Sequence, residues 1–109
     1  MSFFVYKFVP YRPDFPTTMT DAEAAVMAEH MAYWQSLADK DIAVVYGPVA
    51  DPDGAWGVAI VEADTADDVL AIRSADPVVT SDLGPVHVYP MPAAITRGAQ
   101  SKLQPNVGR

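Results

Sequence analysis

The sequence predicts an α+β fold with the element order β-α-β-β-α-β, and three observations predict it. Runs of alternating apolar residues stand near both ends of the chain, and a pair of them lies in the middle. Two stretches with a helical apolar period separate these runs. Each helical stretch opens on a threonine followed by acidic residues, which is how helices begin.

Residues 3–9 read as a strand. Phe4, Tyr6 and Phe8 alternate with Phe3, Val5, Lys7 and Val9, and β-branched and aromatic side chains suit a packed pleated surface. Both faces are largely apolar, so both are expected to be covered. Pro10, Pro13 and Pro16 break regular structure, and residues 11–16 read as a stiff loop carrying Tyr11 and Phe15. A helix follows. Thr20 as N-cap and Glu23 at the third helical position form a capping box, and the helix runs to about Lys40. At about 100° per residue, Val26, Met27, His30, Met31, Tyr33, Trp34, Leu37 and Ala38 share one half of the wheel, with His30 near its middle.

Residues 42–46 form a short strand closed by Gly47-Pro48, and residues 49–54 are a run of turn formers. In the next strand, residues 55–62, Trp56, Val58, Ile60 and Glu62 point one way and Gly57, Ala59 and Val61 the other, so the two strands read as a hairpin with a long loop. Thr65 caps a second helix, with Asp67 and Asp68 at its positive end, and Asp76-Pro77 ends it. Residues 86–91 are the last strand. This order is that of the ferredoxin-like unit, an antiparallel sheet carrying two helices on one face. The other face is left bare, and a bare apolar face calls for a partner. A second copy, sheet to sheet, is the expected one, giving a homodimer.

Composition narrows the chemistry. A chain of 109 residues is one domain, expected to occupy residues 1–95, with residues 96–109 as a basic, flexible tail holding Arg97, Lys102 and Arg109 and no acid. The absence of cysteine excludes disulfides, thiolate nucleophiles, iron–sulfur clusters and cysteine zinc sites, and with only His30 and His87 no metal site is expected. The net charge is −7, and residues 1–95 carry 4 basic and 14 acidic groups. Such a surface repels phosphate backbones, so no nucleic-acid partner is expected. The apolar run at the start is interrupted by Lys7 and is far shorter than the ~20 residues a membrane span needs. It also lacks the flanks of a secretory signal. No membrane partner and a cytoplasmic location are expected.

Phosphate-loop, dinucleotide, serine-elbow and paired-histidine zinc motifs are all absent. What remains is His30 on an apolar helix face, and acids that could serve it. A histidine among apolar residues needs a partner for each ring nitrogen. A carboxylate would fix its tautomer and make a general acid/base dyad. A backbone carbonyl would make it a structural core residue. Trp34, one turn on, is placed to wall the same cavity. Asp51 and Asp53 also read as turn formers, and Asp76 as a helix terminator. Arg12 reads either as an anion-binding group on a loop or as a solvated arginine. His87 reads as structural, and Met27 and Met31 as core packing rather than a cofactor box.

The chain resembles the YciI-like (YCII-related) domain proteins, from the aromatic-rich first strand through Glu29-His30-Met31-Ala32-Tyr33-Trp34, Gly47-Pro48 with an acid shortly after, and Ala75-Asp76-Pro77, over about residues 3–92. The resemblance implies a dimeric ferredoxin-like fold, the dimeric α/β barrel, and a site built on a histidine and an aspartate between the helices and the sheet. One branch of the family is linked to dehydrochlorination of hydroxylated aromatics. His30 matches the family histidine. Asp51 matches the aspartate best, with Asp53 the alternative, and Asp76 matches an Asp-Pro near the pocket. The expected function is therefore cofactor-independent acid/base chemistry of lyase or isomerase type on a small cyclic or aromatic molecule. His30 would move the proton and Asp51 would orient it, with Trp34, Tyr6, Phe15, Asp76 and Arg12 contacting substrate. The alternative is a non-catalytic small-ligand-binding or accessory module with the same pocket. Haem bound at His30 is a third, less favoured possibility.

Overall fold

Alternation in the first strand decides which side of the sheet becomes the core. The computed structural model of the protein describes residues 2–97. Its first strand, β1 (Ser2–Phe8), buries Phe4, Tyr6 and Phe8 to 5% exposure or less. The chain continues through α1 (Phe15–Thr18), α2 (Asp21–Asp39), β2 (Ala43–Val49), β3 (Trp56–Ala63), α3 (Ala66–Ala75), α4 (Pro77–Thr80) and β4 (Val86–Met91). The four strands form one antiparallel sheet in the order β2-β3-β1-β4. This is the ferredoxin-like arrangement the sequence predicts, with each crossover skipping one strand.

Opposed residues in an antiparallel pair share a face. Phe4, Tyr6 and Phe8 therefore lie level with Val61, Ala59 and Gly57 of β3. This face packs against Trp34 and Leu37 of α2, Val69 of α3 and Val78 of α4. A bond from the Tyr33 hydroxyl to the Ile72 carbonyl, 2.8 Å, ties α2 to α3. The opposite face differs from the expectation of cover on both sides. Phe3, Val5 and Lys7 lie level with Glu62, Ile60 and Val58 on one flank, and with Met91, Tyr89 and His87 on the other. Nothing among the described residues packs over them. A bulge at Val44 adds to this face, leaving Val44 and Val45 more than half exposed. His87 lies exposed on this face.

The capping box forms as predicted. The Thr20 hydroxyl accepts from the Glu23 N–H, and the Glu23 carboxylate accepts from the Thr20 N–H. Pro16, Pro48 and Pro77 sit inside regular elements. Pro16 and Pro77 sit in the first turns of α1 and α4, where a missing N–H costs nothing. Pro48 lies inside β2, which is an edge strand and tolerates a lost ladder bond. No helix of the described residues is long and apolar enough to cross a membrane.

The β1–α1 connection is stitched to the segment before β4 by bonds from Val9 N to Pro85 O, 3.0 Å, and from Tyr11 N to Leu83 O, 3.2 Å. Gly84 is clamped there, and a Cβ at this position would stand 2.1 Å from the Val9 carbonyl oxygen. A Cβ on Gly47 would meet nothing within 4 Å. Gly84→Ala is expected to lower stability by about 1–3 kcal/mol through overpacking, and Gly47→Ala to stay within about 0.5 kcal/mol of the parent. Urea unfolding midpoints of the two variants check this.

Candidate functional site

The site is built around a carboxylate that the backbone turns inwards. A residue before proline is barred from the helical region. Asp76, ahead of Pro77, adopts φ −71° and ψ 128°, so α3 stops there and α4 begins. The Asp76 side chain is fully buried. Its Oδ1 accepts from the Val78 N–H at 3.1 Å and meets His30 Nδ1 at 2.7 Å. Its Oδ2 accepts from the Tyr6 hydroxyl at 2.7 Å and from Trp34 Nε1 at 2.9 Å. A carboxylate offers about four acceptor positions, and all are filled. Burial by itself would push the Asp76 carboxyl up. The hydrogen bond and charge of His30, followed by the bonds from Trp34 and Tyr6, outweigh burial and hold it below its ordinary value. Tyr6 is driven well above its ordinary value, first by burial and then by the Asp76 charge and hydrogen bond. Its hydroxyl stays protonated and donates.

His30 reaches this carboxylate from the middle of α2, where its side chain is 14% exposed. An Asp76 carboxylate that accepts at Nδ1 places the ring proton there and leaves Nε2 as the acceptor. No bond from the described residues engages Nε2. His30 also lines a cavity of about 240 Å³ between the sheet and the helices, walled by Phe8 and Ala59 of the sheet, Trp34 of α2, Phe15 of α1 and Tyr46 of β2. The Tyr6 and Trp34 rings meet edge to face at 4.7 Å and form its floor. The lining is almost wholly apolar. Ligand pockets commonly measure about 300–1,000 Å³, so this one lies just below that range.

Several sequence-predicted site residues stand elsewhere. Asp51 is not the partner of His30. Its Oδ1 accepts from the Asp53 N–H at 2.9 Å and its Oδ2 from Trp56 Nε1 at 3.1 Å, both within its own hairpin. Those bonds, the Asp53 N–H foremost, hold its carboxyl below the ordinary range. Asp53 is exposed in the same turn and does not reach His30 either. The acid expected to contact substrate, Asp76, is the one bonded to His30, and it lies behind the cavity wall rather than in it. Arg12 does not face the cavity. It grips the Glu23 carboxylate with both terminal nitrogens, at 2.7 and 2.9 Å, and bonds Thr18 through Nε and Nη2. That grip draws the Glu23 carboxyl down to about 2. Tyr6, Phe15 and Trp34 do line the cavity. So do Met27 and Met31, and Met31 is half exposed rather than core. Tyr46 and Trp56 were not anticipated. Their only sequence signal was position on a hairpin beside Gly47-Pro48. Among the described residues, no three His, Asp or Glu side chains cluster as a metal site.

The comparisons with known proteins agree with this fold. The model of the YCII-related domain matches residues 6–92. A solved structure from Burkholderia phenoliruptrix AC1100, 5-chloro-2-hydroxyhydroquinone dehydrochlorinase in complex with 2,5-dihydroxybenzoquinone, is similar to this chain with a TM-score of 0.58 and 21% identity, over 87% of this chain and 95% of that one. No curated protein matches the chain.

Asp76→Ala is expected to cost about 3–5 kcal/mol, because it leaves buried donors on Tyr6, Trp34 and Val78 without an acceptor. The pH dependence has a definite sign. The folded Asp76 titrates below its unfolded value of about 3.9, so its contribution is complete above that pH and drains away as pH falls towards the folded value. Urea midpoints between pH 3 and 7 are therefore expected to drop at the acid end in the wild type, and to drop less steeply in Asp76→Asn.

Proposed function

The chain belongs to the YCII-related domain family, and on that premise we propose that it is a small enzyme performing general acid/base chemistry, of lyase or isomerase type, on a small cyclic or aromatic molecule. The observation that carries this reading is the 2.7 Å contact between His30 Nδ1 and Asp76. Asp76 orients the ring and stabilises the imidazolium that forms when Nε2 takes a proton. The protonated ring then returns the proton to the substrate or to a leaving group. The apolar wall of Trp34, Tyr6 and Phe15 excludes water from this exchange. The reading calls on no metal or organic cofactor. That the similar Burkholderia protein is a dehydrochlorinase of a chlorinated hydroquinone adds support for ring chemistry of this type.

A second reading is a non-catalytic small-ligand-binding or accessory module using the same pocket. It is favoured by the saturation of Asp76, whose four partners tie β1, α2 and α4 together and give the aspartate a packing role of its own. Proton exchange separates the two. Incubated in D₂O with cyclic ketones, the wild type is expected to speed deuterium uptake at the ring carbon next to the carbonyl, and His30→Gln to lose about 10²-fold or more of that rate while remaining folded by circular dichroism. An equal rate in His30→Gln, or no exchange with a ketone that binds, replaces the catalytic reading with the binding one.

The same proposal includes a homodimer closed through the bare sheet face, which presents Val5, Val45, Ile60, Tyr89 and Met91. Exposed apolar patches of this kind mark contact surfaces. Sedimentation velocity is expected to give a dimer for the wild type and a monomer for Ile60→Glu, which sets a charge at the centre of that face.

A further inference from the structure

We infer that the cavity selects an uncharged single-ring ligand carrying one hydrogen-bonding oxygen, and turns away carboxylated and polyhydroxylated rings. The inference deepens the proposed function, in that it rests on the His30 cavity being a ligand site. It does not depend on whether a reaction follows there.

The first argument is the fate of the polar atoms around the cavity. Tyr6 and Trp34 both give their protons to Asp76. Trp56 gives its own to Asp51 at 3.1 Å, and Tyr46 donates to Gln35 at 3.0 Å. Four of the rings that wall the cavity thus turn their donors outwards and offer a ligand mainly their apolar surface. Among the described residues, His30 Nε2 is the lining side-chain nitrogen left to bond a ligand, and it bonds one group. Each further hydroxyl on the ring would find no free side-chain donor there, at the cost of part of its desolvation.

The second argument is charge. Among the described residues no lysine or arginine lines the cavity. Arg12 is spent on Glu23. Lys7 lies over the Trp56 ring, 4.6 Å from its centroid. Arg73 borders a separate shallow hollow with Tyr11 and Asp82. His30 itself is paired with a buried carboxylate, so even when protonated it presents a neutral pair to an incoming anion. An anionic ligand would leave water for a site with no counter-ion and a negative charge just behind its wall.

The third argument is size. An apolar cavity of about 150 Å³ holds a benzene molecule, so about 240 Å³ takes one ring with a small apolar substituent. Met19, Met27 and Met31 line the same cavity, and thioether side chains adapt to irregular shapes.

Three probes test the inference on the full chain at pH 7 by isothermal titration calorimetry: 4-ethylphenol, 4-hydroxybenzoate and, under argon, 1,2,4-trihydroxybenzene. 4-Ethylphenol is expected to bind at least about tenfold more tightly than either of the others, a factor worth about 1.4 kcal/mol, and to move the His30 ring signals in NMR spectra. Equal or tighter binding of the carboxylate or the triol overturns the inference. So does absence of 4-ethylphenol binding, or binding that leaves the His30 signals in place. Loss of deuterium exchange in the assay above, with the binding order kept, overturns only the catalytic reading.

Discussion

One buried carboxylate organises this protein. Asp76 receives the Tyr6 hydroxyl from β1, the Trp34 indole and His30 imidazole from α2, and the Val78 amide from α4. An ion taken out of water is costly unless its acceptor positions are filled. Filling them requires the sheet, the long helix and the α3–α4 corner to be in register together. The polar requirement therefore specifies how these elements meet, while Phe4, Phe8, Leu37, Val61, Val69 and Val78 supply the non-directional attraction.

The same bonds that satisfy Asp76 also shape the chemistry of the cavity. They fix the tautomer of His30, direct its second nitrogen away from the carboxylate, and turn the hydroxyl of Tyr6 and the N–H of Trp34 away from the ligand space. Stability and site polarity are thus not independent in this molecule. A substitution at Asp76 removes the acceptor of two ring donors and the partner of the imidazole at once, so it acts on packing and on the site together.

Much of this was legible in the sequence because it is local. The strand pattern of Phe4, Tyr6 and Phe8, the capping box of Thr20 and Glu23, and the stop at Asp76-Pro77 each depend on neighbours a few residues away. His30 was singled out for the same reason, as a polar residue in the middle of an apolar helical face. Its partner was not legible. Asp76 is 46 residues from His30, and only the packing of α2 against the α3–α4 corner brings them together. The sequence reads Asp76 as a helix terminator, and the family resemblance places it near the pocket as a substrate contact, but neither signal pairs it with His30. Asp51 was favoured because it follows Gly47-Pro48, yet the indole of Trp56, five residues on, takes up its carboxylate. Arg12 reads from the sequence as an anion-binding or a solvated arginine, whereas its partner is Glu23, whose carboxylate serves both the helix cap and the guanidinium.

That sharing at Glu23 joins two segments of the chain through one side chain. Phe15 and Met19, on the segment between Arg12 and Thr20, cover part of the ligand space. Arg12 and the first turn of α2 hold to one and the same carboxylate. One side chain therefore fastens both the segment that covers the cavity and the opening turn of the helix that carries His30. Salt that screens the Arg12–Glu23 pair loosens the first of these fastenings and leaves the second, a hydrogen bond to the Thr20 amide, in place.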